Sequence, residues 1–113
     1  MQSSILRWLA VILLLATASI HIIFGAIALP PQFAPVFYLM GSIYLVGAGA
    51  LAAKIRPKLF QLLALIYTVL IIAIWVVSGQ ARIPVAYLDK TIEVVLVINL
   101  LVLIRGKVAQ VKL

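Results

Sequence analysis

The sequence contains no cysteine, a single histidine and only two acidic residues in 113. Without cysteine the chain can form no disulfide or thiolate nucleophile, and it cannot bind zinc or an iron–sulfur cluster through sulfur. Charged residues make up 10% of the chain, whereas a soluble domain has about a quarter. These shortages argue against a water-soluble fold.

Apolar residues dominate what is present, at 67% of the chain with a mean hydropathy of +1.35. A membrane-spanning helix needs about 20 such residues, so a chain of this length holds at most four spans and no separate soluble module. We therefore expect an all-α integral membrane protein with one transmembrane domain over residues 1–113.

Four apolar runs are separated by proline, glycine or charge. They predict spans at about residues 8–29, 37–53, 59–77 and 85–104. Pro30 and Pro31 end the first run and Pro57 separates the second from the third, because proline cannot continue a helix. Gly79 ends the third run, and Pro84 suits the first turn of the fourth. The expected fold is a four-helix bundle with short loops.

The start of the first run also resembles a secretion signal. Arg7 supplies the positive end, and Ala16-Thr17-Ala18 resembles a cleavage site. The apolar run continues well past Ala18, which favours a retained helix.

Basic residues are distributed unevenly along the chain, which carries a net charge of +7. Seven of the nine lie on one side of the four-span pattern, namely Arg7, Lys54, Arg56, Lys58, Arg105, Lys107 and Lys112. Arg82 and Lys90 lie on the other. By the positive-inside rule both termini are cytoplasmic in a multi-pass cell-membrane protein. The charges flank apolar runs, so we expect anionic lipid headgroups as partners and no nucleic acid.

Two ionisable residues lie inside predicted spans. At about 1.5 Å per residue, His21 lies roughly 20 Å above Trp8, and Glu93 lies roughly 16 Å above Ile104. The depths agree within a helical turn, so a contact is possible if the first and fourth helices are neighbours. Thr17 and Gly25 flank His21 on a stripe of small and polar residues, which predicts that the imidazole faces the bundle.

His21 has three possible roles in such a position: an interhelical hydrogen bond, handling of a proton or polar substrate, or ligation of a metal or haem. One histidine makes no metal site alone, and we predict neither a metal site nor a cofactor. Glu93 either pairs locally with Asp89 and Lys90 at the membrane surface, or is a buried carboxyl that binds a proton or a cation.

Small and aromatic residues complete the pattern. The helix-packing positions are predicted to be Gly25, Gly41, Gly47, Gly49 and Ala53, because small residues let membrane helices approach closely within or between chains. Tyr44 and Tyr67 fall at similar depths and are candidates for a polar layer with Thr17, His21 and Glu93.

Two functional classes fit these observations. Small size and short loops favour an accessory or structural subunit, or an assembly factor, of a larger membrane complex. The alternative is a homo-oligomeric transporter or channel that uses the layer around His21 and Glu93. Partners are then other membrane subunits or further copies of the chain. No catalytic signature or phosphate-binding loop occurs, and we do not expect an enzyme.

Overall fold

A computed structural model describes residues 2–27, 31–78 and 84–112. It consists of four helices, whose bounds are Gln2–Ile27 (α1), Ala34–Ala52 (α2), Pro57–Ser78 (α3) and Pro84–Lys112 (α4). The described part of the chain contains no strand. The prediction of an all-α fold with four helices is confirmed.

The helix ends differ from the predicted spans. α1 begins before Trp8 and α4 continues past Ile104, because the polar residues beyond each apolar run include no proline to stop the helix. Pro57 and Pro84 occupy the first positions of α3 and α4, as their missing N–H allows. Pro30, Gly79 and Arg82 lie outside the described residues.

A tight turn joins α2 to α3. The Ile55 N–H donates to Ala50 O at 2.9 Å and the Ala53 N–H donates to Gly49 O at 3.0 Å, which satisfies carbonyls at the end of α2. Lys54 and Arg56 adopt positive φ angles of 57° and 40° in this turn. The reversal places α3 antiparallel beside α2.

The helices form a ring in which each contacts its two neighbours. Contacts join α1 to α2, α1 to α4, α3 to α4 and, most sparsely, α2 to α3; the described residues give no backbone-level packing across the diagonals. The molecule measures 52 × 25 × 18 Å. Its core contains small and aliphatic side chains together with one tyrosine: Ala10, Val11, Leu14, Ala18, Tyr44, Ala48, Leu51, Ala64, Leu96, Leu100 and Leu103.

Three of the helices are long and apolar enough to cross a membrane, over Ser4–Ile27, Ala34–Ala52 and Pro57–Val77. Four spans were predicted. α4 is not among the three, and it carries three charged residues close together, Asp89, Lys90 and Glu93.

The predicted packing positions divide into two groups. A Cβ atom built on Gly41 would lie 2.6 Å from Ile22 Cγ1, and one on Gly25 would lie 3.0 Å from Phe37 Cβ, so both glycines allow α1 and α2 to approach closely. A Cβ atom on Gly47 or Gly49 would meet open space instead. These two glycines therefore do not mark a close helix approach within the chain, and packing between chains stays a prediction for them.

Two further residues define the surroundings of these glycines. Ala53 is exposed and occupies the C-cap of α2. Ile22 of α1 lies against Gly41 of α2. A branched side chain on α1 therefore fills the space that the missing Cβ leaves on α2.

Arg7 has a structural partner that the charge count did not predict. Its Nη1 atom donates to the carbonyl oxygens of Leu51 at 3.3 Å and Ala52 at 3.2 Å, at the end of α2. The guanidinium also lies 4.8 Å from the ring centroid of Trp8. A cation from α1 thus binds carbonyls at the C-terminal end of α2, where the helix dipole favours positive charge.

Candidate functional site

Six polar side chains from three helices meet between α1, α2 and α4. This polar cluster consists of Thr17, His21, Tyr44, Asp89, Lys90 and Glu93. It includes the only histidine and the only two acidic residues of the chain. Both acidic side chains of this charge-poor sequence therefore lie in one cluster.

Helical spacing explains how the groups meet. Thr17 and His21 are four residues apart on α1, and Asp89 and Glu93 are four residues apart on α4, so each pair occupies one face. α1 and α4 are neighbours in the ring, and these faces meet there. Tyr44 reaches the cluster from α2 on the other side of α1.

Thr17 is the point of contact between α1 and α4. Its Oγ1 donates to Asp89 Oδ1 at 2.6 Å and lies 3.2 Å from Glu93 Oε2. A hydroxyl carries one hydrogen, so the shorter contact to Asp89 is the stronger bond. The side chain is completely buried, which leaves it no water to replace these acceptors.

Glu93 is buried with no exposed surface. Its Oε1 accepts from Lys90 Nζ at 2.7 Å, and its Oε2 accepts from the Tyr44 hydroxyl at 2.9 Å. The sequence left two possibilities open for Glu93, and the burial of its side chain excludes one of them, an exposed local pair at the membrane surface. The carboxyl does pair with Lys90, but inside the bundle.

The contacts of His21 define its tautomer. Nδ1 lies 2.8 Å from the Thr17 carbonyl oxygen, which can only accept, so Nδ1 carries the hydrogen. In the neutral ring Nε2 then presents its lone pair, and it faces Asp89 Oδ2 at 3.8 Å, beyond hydrogen-bond distance. The rings of Phe37 and Tyr44 flank the imidazole, each with its centroid 5.6 Å away.

Lys90 lies at the edge of the cluster, with 12% of its side chain exposed. Besides Glu93, its ammonium contacts Asp89 Oδ2 at 3.4 Å. It also lies 5.9 Å from the ring centroid of Trp75 on α3. The ammonium therefore bridges both carboxylates at the partly exposed edge of the cluster.

The formal charges of the cluster balance only with one more positive charge. With both carboxyls ionised, Asp89 and Glu93 contribute two negative charges and Lys90 one positive charge, so the cluster carries one negative charge if His21 is neutral. An uncompensated charge in an apolar interior is costly. The arrangement suits one further positive charge, and a ligand atom from each of His21, Asp89 and Glu93 lies within 4.8 Å of the other two.

Tyr67 is adjacent to this cluster but does not join its hydrogen bonds. Its hydroxyl donates to the Met40 carbonyl at 3.1 Å, and its ring packs edge-on against Tyr44 with centroids 4.9 Å apart. Both tyrosines line an apolar groove of about 610 Å³ between α2 and α3. Tyr44 thus separates the groove from the polar cluster.

The structure brings together Thr17, His21, Tyr44 and Glu93 from the predicted layer. It adds Asp89 and Lys90, which the sequence analysis treated as partners of Glu93 near the membrane surface. The sequence contained a signal for Asp89, namely its helical spacing. Asp89 is four positions from Glu93 and therefore lies on the same face of α4.

Comparison with known proteins does not assign the chain to a family. The chain matches no family model, no curated protein and no solved structure.

Proposed function

We propose that this protein is a small multi-pass membrane protein that transports or conducts a cation through the polar cluster, as a homo-oligomer. The observation that carries the proposal is that both acidic residues and the only histidine of the chain lie in one buried cluster, which one ammonium group, from Lys90, contacts. Ionisable groups inside a membrane protein are expensive, and they mark ion or substrate paths by default.

A purely structural role fits the cluster less well. Burying a charged pair rarely stabilises a protein more than apolar side chains of similar volume would. Instead, α1 and α4 supply acceptor atoms for a positive charge. Tyr44 of α2 donates a hydrogen bond to Glu93 in the same cluster. Such an arrangement favours binding and release of a cation.

The proposal requires α4 to cross the membrane with the other three helices. Of its charged residues, Asp89 and Glu93 are buried and Lys90 is largely buried. Between residues 84 and 102 its exposed large side chains are apolar or aromatic, as a lipid-facing surface requires: Val85, Tyr87, Leu88, Val94, Val95, Ile98, Leu101 and Val102. With four spans, the basic residues place both termini in the cytoplasm, facing anionic headgroups.

The test is cation flux into vesicles that contain the purified chain. Dyes sensitive to pH, to alkali-metal ions and to divalent metal ions report the flux of each cation under an imposed potential. We expect flux above that of empty vesicles for at least one cation. Glu93→Gln and Asp89→Asn each remove one negative charge with little change of shape, and we expect both to abolish that flux.

Thr91→Val is the matched control. Thr91 is on the same helix, is exposed, and donates to the Tyr87 carbonyl outside the cluster. It should leave the flux unchanged. Wild-type flux equal to that of empty vesicles for every cation would reject the proposal, as would full activity in folded Glu93→Gln.

A second candidate function is an accessory subunit of a larger membrane complex. Gly47 and Gly49 face open space on α2, and the groove beside Gly47 is apolar, which suits a helix from another chain. Native mass spectrometry of protein extracted gently from its source membrane distinguishes the candidates. Unlike subunits that dissociate on Gly47→Leu favour the accessory role, and a homo-oligomer alone favours transport.

A further inference from the structure

We propose that the cation bound by the polar cluster is a divalent transition-metal ion such as Zn²⁺, held by His21 Nε2 and by one carboxylate oxygen each of Asp89 and Glu93, and that the Lys90 ammonium competes for this position. The inference rests on the proposed function for the site, and it names the ligand class that the site takes. The sequence alone predicted no metal site, because it did not bring Asp89 into the cluster.

The distances fit such an ion. Zinc binds nitrogen and oxygen ligands at about 2.0–2.2 Å, so two ligand atoms on one ion lie about 3 to 4.2 Å apart. His21 Nε2 and Asp89 Oδ2 are already 3.8 Å apart. One possible ligand atom from each of His21, Asp89 and Glu93 lies within 4.8 Å of the other two, so side-chain shifts of less than about 1 Å would bring the three groups to ligand distances.

His21 is oriented as a metal-ligating histidine is. Such a histidine donates its second ring N–H to a carbonyl or carboxylate, which fixes the tautomer and the ring plane. The Nδ1 contact with the Thr17 carbonyl at 2.8 Å supplies this bond. Nε2 is thereby left to face a carboxylate oxygen of Asp89, an arrangement that becomes favourable with a proton or a metal cation between them.

Tyr44 and Thr17 support the carboxylates from outside the ligand set. Tyr44 donates to Glu93 Oε2 and Thr17 donates to Asp89 Oδ1. Hydrogen bonds of this kind hold ligating carboxylates in position.

Charge explains the role of Lys90. The ammonium contacts both carboxylates, at 2.7 Å for Glu93 and 3.4 Å for Asp89, so it stands where a bound cation would be attracted. Two carboxylates and a divalent ion are neutral together, which suits an apolar interior. The ion therefore displaces the ammonium, which already lies at the edge of the cluster, 5.9 Å from the ring centroid of Trp75.

The experiment measures Co²⁺ binding, by its visible absorption and by calorimetry, to the untagged full chain in detergent at fixed pH. Co²⁺ is a spectroscopic substitute for Zn²⁺, and His21 is the only imidazole in such a chain. We expect one Co²⁺ per chain, displaced by Zn²⁺, and at least a tenfold loss of affinity in His21→Gln and in Asp89→Asn.

Lys90→Met removes the competing charge and keeps an apolar stem. We expect it to bind Co²⁺ at least about tenfold more tightly than the wild type. Lys54→Met removes a charge from the exposed turn and should leave the affinity unchanged. Circular dichroism establishes that each variant is folded.

Failure of this inference is separable from failure of the proposed function. No Co²⁺ binding by folded wild type and folded Lys90→Met at millimolar Co²⁺ overturns the metal site, even if protons or alkali-metal ions cross the membrane. Binding that persists in His21→Gln also overturns it, and equal affinity in Lys90→Met and wild type overturns the competition. Co²⁺ binding that depends on His21, without flux of any cation, overturns the proposed function alone.

Discussion

The Tyr44 hydroxyl donates to Glu93 Oε2 at 2.9 Å and so joins α2 to α4 across the centre of the bundle. These two helices are diagonal in the ring, and among the described residues their backbones do not pack together. Tyr44 has 1% of its surface exposed and Glu93 none. This hydrogen bond therefore links two helices whose backbones lie apart.

Tyr44→Phe should reduce stability and cation flux, because it removes the hydroxyl that Glu93 Oε2 accepts while keeping the ring. A hydrogen bond to a charged group contributes about 1.5–3 kcal/mol. Tyr67→Phe is the matched control, since its hydroxyl binds the Met40 carbonyl instead. Denaturant titration in micelles and vesicle flux provide the measurements. Equal flux in the two variants would show that the bond to Glu93 has no part in transport.

Thr17→Val should destabilise the protein by about 1–2 kcal/mol, because it removes a buried donor from Asp89. Thr91→Val makes the same change at an exposed position of α4 and should alter stability by less than about 0.5 kcal/mol. Unfolding in mixed micelles, followed by circular dichroism, gives both values. Similar values for the two variants would contradict the central place of Thr17 in the cluster.

Gly41→Ala should destabilise the bundle, whereas Gly47→Ala should not. A Cβ on Gly41 would lie 2.6 Å from Ile22 Cγ1 and 2.9 Å from the Ala18 carbonyl oxygen, so α1 must move, at a cost of about 1–3 kcal/mol. A Cβ on Gly47 meets open space. The same unfolding assay applies, and a neutral Gly41→Ala would contradict the close approach of α1 and α2.

The topology is testable with single cysteines, since the chain has none of its own. Gln32→Cys, before α2, and Ile55→Cys, in the turn after it, are both exposed positions. Impermeant maleimide added outside intact cells should label Cys at 32 and not at 55. The reverse pattern would place the termini outside, and labelling of both would mean that α2 does not cross the membrane.

The sequence predicted the number of helices because each apolar run is long and is bounded by proline, glycine or charge. It predicted the inward face of α1 because Thr17, His21 and Gly25 recur at helical spacing. The helix ends were less certain, since hydrophobicity records where a chain meets lipid and not where its backbone hydrogen bonds stop. α4 therefore extends beyond its apolar run.

The candidate site was predictable only in part. Asp89 and Lys90 are close to Glu93 in sequence, and local charge pairs are common on exposed helices. Their burial follows from α1 covering that face, which is a property of the whole bundle. Gly41 and Gly47 illustrate the same limit, because two glycines on one helix look alike until their neighbours are known.

Arg7 gives the chain an order of assembly. Its acceptors, the carbonyls of Leu51 and Ala52, belong to the second helix to be synthesised. α1 can therefore pair with α2, and Arg7 can cap it, before the rest of the chain has been synthesised. Thr17 and His21 gain their contacts with Asp89 and Glu93 only after α4 has been synthesised. The polar cluster is completed last, and a chain interrupted after α3 leaves its imidazole without the carboxylate that it faces in the finished bundle.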